Sequence, residues 1–279
     1  MIKSILLPLD GSTYSDSVIK YGKFFAEKFD AVVRILSVVD IRLFDWSMAT
    51  GADSFVPLMP SADFQAESQK IQDEKADKII EKAANILNKT SIKFEVLKTS
   101  GIPVDEICQS AMVNDLVIMG IRGEYERWSE KFLGATVESV TRQVTKPTML
   151  VDKNFEIFKR IHCGYDGSSS SNKALQLSAY LASLMKIKLK VITVLDSEEE
   201  RTKILDDAER YLVPYKIDFN LRHETGEAAD VLEYAQNNAP DPALTVIGSY
   251  GHSRLREAII GSTTVQVMRK ANKPILLAK

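Results

Sequence analysis

The chain repeats itself. "KSILLPLDGSTYSDSVIKYGKFFAEKFDAVVRILSVVD" (Lys3 to Asp40) lies over "KRIHCGYDGSSSSNKALQLSAYLASLMKIKLKVITVLD" (Lys159 to Asp196) without a gap, each residue 156 positions from its counterpart. Asp10-Gly11-Ser12 falls on Asp166-Gly167-Ser168, and Asp40 falls on Asp196. Further on, "TSGIPVDEICQSA" matches "ETGEAADVLEYAQ", "NDLVIMG" matches "PALTVIG" and "TKPTMLV" matches "NKPILLA", in the same order. A repeat of this length means two copies of one domain, which suits a chain of 279 residues. The reading predicts domains at 1–152 and 159–279, joined near Asp152 to Phe158.

Each copy alternates two kinds of pattern. Short β-branched runs (Ile2 to Leu9, Val32 to Val39, Leu116 to Met119, Thr148 to Val151) read as buried parallel strands. Between them lie helical periods: Val18, Tyr21, Gly22, Phe25 and Phe29 in one copy, Ala174, Ser178, Leu181 and Met185 in the other. Ser12 or Thr13, and Ser168 or Ser169, are placed to cap the helix that follows each Asp-Gly turn. Alternating strand and helix predicts an α/β fold: two tandem doubly wound sheets of about five strands each. The copies differ in one large respect. The first carries "IRLFDWSMATGADSFVPLMPSADFQ" (41–65) before its next helix, an aromatic insertion of weak periodicity, expected as a surface loop folded onto its own domain.

The chemistry concentrates at "GSYGHSRLREAIIGST", Gly248 to Thr263. Gly248 ends a strand, where open α/β sheets bind ligands. Gly251 lets backbone approach a ligand closely. At Gly261-Ser262-Thr263 a helix begins, and its unpaired N–H groups and dipole attract phosphate. Ser262 and Thr263 add hydroxyl donors, while His252, Arg254 and Arg256 can add positive charge. This is neither a Walker loop nor a dinucleotide fingerprint, since the spacings differ. Asp166 ends its strand on the same edge. Its carboxylate can accept from a ribose hydroxyl or adenine amine, or it can simply fix an Asx turn.

Together these features resemble the universal stress protein family in its tandem two-domain form. The family's nucleotide-binding members carry G-x2-G-x9-G-[S/T], which Gly248, Gly251, Gly261 and Ser262 match. The family's early Asp falls on Asp166 and Asp10. Its adenine-contacting aliphatic residue falls on Val194 and Val38, and its closing Pro on Pro274 and Pro147. The resemblance implies Rossmann-like, mostly parallel five-stranded sheets with about four helices per half. It also implies that the halves pack as a pseudo-twofold dimer, with their last strands paired. The implied ligand is ATP or another adenine nucleotide, with a divalent cation such as Mg, and the implied role is in stress adaptation.

The first copy departs from that motif. Gly120 and Gly123 match, but ten residues precede Gly134, Ala135 replaces the Ser/Thr, and Glu124, Glu126 and Glu130 enter the loop. Arg122, Arg127 and Lys131 offset some of that charge. The expectation is nucleotide in the second half and a degenerate first half, plugged by its own insertion.

Other classes are not supported. A net charge of -2 gives no nucleic-acid or polybasic membrane surface, and no apolar run approaches the ~20 residues of a span. Cys108 and Cys163 read as reduced core residues of a cytoplasmic protein. His162 reads as a satisfied core or cleft histidine, and His223 has no evident partner. No catalytic constellation emerges, so any ATP hydrolysis is expected to be slow and incidental. The competing reading is a scaffold of the same fold that binds no nucleotide and works through protein partners or a small apolar ligand. Whether two chains pair further is left open.

Overall fold

The computed structural model describes residues 1–43, 62–123, 133–249 and 261–279. In the first half the strands are β1 (Ser4–Pro8), β2 (Val32–Asp40), β3 (Phe94–Gly101), β4 (Leu116–Gly120) and β5 (Thr148–Val151). Its helices are α1 (Ser15–Phe29), α2 (Ala62–Leu87), α3 (Pro103–Ala111) and α4 (Ala135–Gln143). The second half repeats the order: β6 (Arg160–Gly164), α5 (Ser169–Met185), β7 (Lys188–Val194), α6 (Glu198–Leu212), β8 (Phe219–Glu224), α7 (Ala228–Asn237), β9 (Ala243–Gly248), α8 (Ser262–Lys270) and β10 (Ile275–Ala278).

All ten strands form one sheet, in the order β3-β2-β1-β4-β5-β10-β9-β6-β7-β8. Pairings within each half are parallel. The seam between halves is the antiparallel pair β5–β10, with Leu150 opposite Ile275 and Met149 opposite Leu276. The order reads the same from either end, so the halves are related as expected, by a pseudo-twofold through the seam. Lys279 reinforces it by donating to the Thr141 carbonyl across the halves.

Alternation along the strands divides the core into two layers, one per face of the sheet. Ile5, Leu7, Leu116, Ile118, Met149, Leu276, Leu244 and Val191 lie in one layer under α1, α2, α5 and α6. Leu6, Val117, Met119, Leu150, Ile275, Leu277, Ile247 and Ile192 lie in the other under α3, α4, α7 and α8. Each layer runs across the seam. The connection after β5 is part of the core as well: Phe158 is buried against Phe24 and Phe25, and Phe155 meets Tyr21 edge-on. The Tyr21 hydroxyl donates to the Glu156 carbonyl at 2.9 Å, and burial pushes its phenol up to about 12.

Several local expectations are corrected. In the second half Ser168 caps α5, accepting from the Ser171 amide at 3.2 Å. In the first half neither Ser12 nor Thr13 caps α1. The chain makes an extra turn there, Ser15 N–H to Ser12 C=O, and the helix begins behind Tyr14 with no side-chain cap. Cys163 is buried, but Cys108 is only half-buried. His162 is buried as expected, yet its Nδ1 has no hydrogen-bond partner among the described residues. Burial, with Lys190, Arg160 and Lys273 nearby, pushes its pKa down to about 4. Of the insertion, 41–43 form a 3-10 turn and α2 already begins at Ala62. Its aromatic middle, and with it the expected plug, lies outside the described residues. Among the described residues, no helix is long and apolar enough to cross a membrane.

Candidate functional site

In each half the chain goes from the first strand outward to the second and third, then returns to place the fourth on the other side of the first. That reversal opens a crevice at the carboxyl ends of β1 and β4, and another at those of β6 and β9, where open α/β sheets bind ligands.

In the second half, Asp166 follows β6 and is partly exposed. Its Oδ1 accepts from the Ser168 amide at 3.0 Å, so one carboxylate oxygen fixes the turn at Gly167, whose φ is +76°. Val194 is the last residue of β7 and half-buried. Gly248 ends β9, and a Cβ there would stand 2.6 Å from the Ser170 carbonyl carbon. The start of α5 therefore packs directly on that strand end, and only glycine leaves it room.

The two ends of the glycine loop are tied at its neck. The Ser249 carbonyl accepts from the Gly261 amide at 3.4 Å, and Thr264 Oγ1 donates to the Gly248 carbonyl at 3.0 Å. α8 begins behind Gly261 with no side-chain cap. Its first intrahelical bond is Val265 N–H to Gly261 C=O, so the Ser262, Thr263 and Thr264 amides precede the helical ladder. The Ser262 and Thr263 side chains are exposed. The structure thus brings Asp166, Val194, Gly248, Gly261, Ser262 and Thr263 to one sheet edge. Gly251 and His252 lie outside the described residues. His223, on β8, is exposed.

The first half builds the same edge differently. Asp10 Oδ1 accepts from the Ser12 amide at 2.9 Å and the Ser15 hydroxyl at 3.3 Å. Its Oδ2 reaches toward the loop: a Cβ on Gly123 would stand 2.7 Å from it. α4 begins behind Gly134, again with no side-chain cap, and its first residue is Ala135. Between these elements lies a cavity of about 620 Å³. Leu36, Val38, Ile79, Val104, Ile107 and Met119 supply apolar wall, and Asp10, Asp40, Arg42, Lys75 and Arg122 its charges. Burial works against ionisation of Asp40, but Arg42, at 2.6 Å, outweighs it and holds the carboxyl below its ordinary value. The α2 wall and Lys75 were not identified from sequence. α2 follows the insertion, where the repeat has no fixed register, so no motif points to it.

An adenine nucleotide fits the second-half edge by its donors: the uncapped amides and exposed hydroxyls at the start of α8 suit phosphate oxygens. Among the described residues no three His, Cys, Asp or Glu side chains gather to hold a metal.

Comparison with known proteins agrees with this architecture. The sequence pattern of the universal stress protein family matches residues 1–152 and 196–279. Universal stress protein Slr1230 of Synechocystis is 31% identical over 99% of this chain and 99% of its own. Universal stress protein MJ0577 of Methanocaldococcus jannaschii is 28% identical over 55% of this chain and 96% of its own. Among solved structures, a universal stress protein from Archaeoglobus fulgidus superposes with a TM-score of 0.76, covering 99% of this chain and 98% of that one at 22% identity. Two matched segments, a relative sharing its full length and a shared fold lead to one conclusion: this chain belongs to the universal stress protein family.

Proposed function

We propose that the second half binds an adenine nucleotide, ATP with Mg, and that the protein works in the cytoplasm as a stress-response sensor or switch. The observation that carries this is the neck of the glycine loop. Gly261 is tied to Ser249, which sets the uncapped start of α8 beside the crevice flanked by Asp166 and Val194. Phosphate oxygens would take the Ser262 and Thr263 amides and hydroxyls, and Gly251 and His252 of the same loop are proposed as further contacts. A ribose hydroxyl or the adenine amine would donate to the Asp166 carboxylate, and the adenine ring would lie on Val194. Bound Mg would neutralise phosphate charge. No residue in this set is a side-chain nucleophile activated by a base, and any hydrolysis of the bound nucleotide would be slow and incidental.

The test is mass spectrometry of small molecules released from the purified full chain, with Gly261→Glu as control. ATP or ADP with the wild type and none with the variant supports the reading. No nucleotide with either, and no thermal shift with added Mg-ATP, overturns it in favour of a scaffold acting through protein partners.

A further inference from the structure

The sheet ends in two outer strands, β3 and β8. An outer strand carries unused main-chain donors and acceptors, and charged side chains along it normally keep other strands away. The two edges hold their charges differently. On β3, Glu95 is held by Arg34 at 2.7 Å, and Lys98 by Asp77 at 2.8 Å and Asp73 at 3.1 Å. On β8, Arg222, His223 and Glu224 are exposed. Neither Arg222 nor Glu224 has an ion-pair or hydrogen-bond partner among the described residues. We propose that β8 is an interface between copies of this chain: it pairs antiparallel with β8 of a second copy, centred on His223.

The phase of the backbone suits that pairing. The Leu189 amide donates to the Asp218 carbonyl at 3.0 Å, and β7 runs parallel to β8 with Leu189 opposite Phe219. In a parallel ladder, alternate residues of a strand serve one neighbour. Asn220, Arg222 and Glu224 therefore turn their main-chain groups toward β7, while Phe219, Leu221 and His223 turn theirs to the outer side. A twofold axis at His223 lets the two copies of that residue exchange both main-chain bonds.

The side chains select this register. With His223 on the axis, Arg222 of each copy stands opposite Glu224 of the other, on the sheet face of Ile192 and Val194. Both charges of each copy are then matched across the strands. Centring on Arg222 or on Glu224 would set that residue against itself, and centring on Leu221 would set Glu224 against Asp218. Charges that repel other strands are thus their own complement. The first half has no such pattern, because Leu97 and Thr99 stand where the repeat has Arg222 and Glu224.

The experiment is sedimentation velocity of the full chain at low salt, from dilute solution to roughly 500 µM, since a short interface of this kind binds weakly. The expected result is a monomer–dimer equilibrium. Arg222→Glu makes the pair of charges wholly acidic and Glu224→Arg makes it wholly basic, so each variant alone should dimerise about tenfold more weakly. Mixed in equal amounts, the two variants complement each other and should form a heterodimer within about threefold of wild-type affinity. Both substitutions lie on the exposed edge, and thermal melts should match the wild type. A wild type that stays monomeric throughout would overturn the proposal, as would single variants that dimerise as well as the wild type. So would a mixture that associates no better than its components, or growth beyond a dimer, in which β8 meets β3 of the next copy.

Discussion

The two crevices are built from the same strands in the same order, yet opposite charges stand beside them. Ile79 of α2 packs over Gly11, and Ile204 of α6 packs over Gly167, which sets the two helices in register. In that register Lys75 corresponds to Glu200, and the first eleven residues of α2, 62–72, have no counterpart in α6. Two residues beyond the aligned aspartates Asp40 and Asp196 stand Arg42 and Glu198. The first crevice thus carries basic residues where the second carries acids, while the second has kept the motif and the hydroxyls. Neither change touches the two core layers, whose residues lie along the strands. A duplicated fold of this kind can change its ligands at the strand ends without repacking its centre.

The comparison can be broken most forcefully at its glycines. Gly248→Ala should cost about 4 kcal/mol, because the new Cβ meets helix backbone at 2.6 Å. Gly134→Ala, whose Cβ would find its nearest neighbour at 3.5 Å, should stay within about 0.5 kcal/mol. Urea unfolding of both variants measures the contrast, and equal losses would refute the packing argument.

The next effect depends on pH. His162 occupies the place of Leu6 in the repeat. Its folded pKa of about 4 lies below the ordinary 6.5, so the unfolded chain binds the proton first as pH falls. Its contribution is therefore intact above pH 6.5, declines down to pH 4 and is flat below. The whole loss amounts to about 3 kcal/mol. His162→Leu, which copies the first half, should flatten that part of the profile in denaturant titrations at pH 7 and pH 4.5. An unchanged slope would show that the titrating group lies elsewhere.

A smaller effect separates the caps. Ser168→Ala should cost about 1 kcal/mol, and Ser12→Ala only a few tenths, since only Ser168 caps its helix. Thermal melts of the two variants rank them. Smallest is the charge exchange. Glu200→Lys should tighten Mg-ATP binding about threefold at low salt, and the effect should fade near roughly 0.5 M salt. An effect that survives at high salt would point to direct contact rather than to a screened field.

Much of this was legible in advance. The unbroken offset from Lys3 to Asp40 implied the shared strand order, and alternation at β1 and β2 implied their buried faces. The strand-end positions of Asp166, Val194 and Gly248 follow from the same pattern, since each terminates an apolar run. What escaped was decided by contacts between distant segments. The extra turn before α1 depends on Asp10 holding both Ser12 and Ser15, whereas the second half spends Ser168 on its cap. That His162 Nδ1 has no partner among the described residues depends on which side chains β7 and β9 bring beside it. The α2 side of the cavity, Gln72, Lys75, Ala76 and Ile79, lies beyond the stretch where the two halves align residue for residue.

The seam has a consequence for how such a chain diverges. Strands Thr148–Val151 and Ile275–Ala278 cover each other's edges, which in a separate half would be open to any strand that matched them. In a dimer of identical subunits every substitution arrives at both sites together and must suit both. Joined on one polypeptide, each half always finds the other at hand whatever the amount of protein made. A change such as alanine at 135 then enters one crevice only. The antiparallel seam keeps the symmetry of the assembly while releasing its two sites from having to be the same.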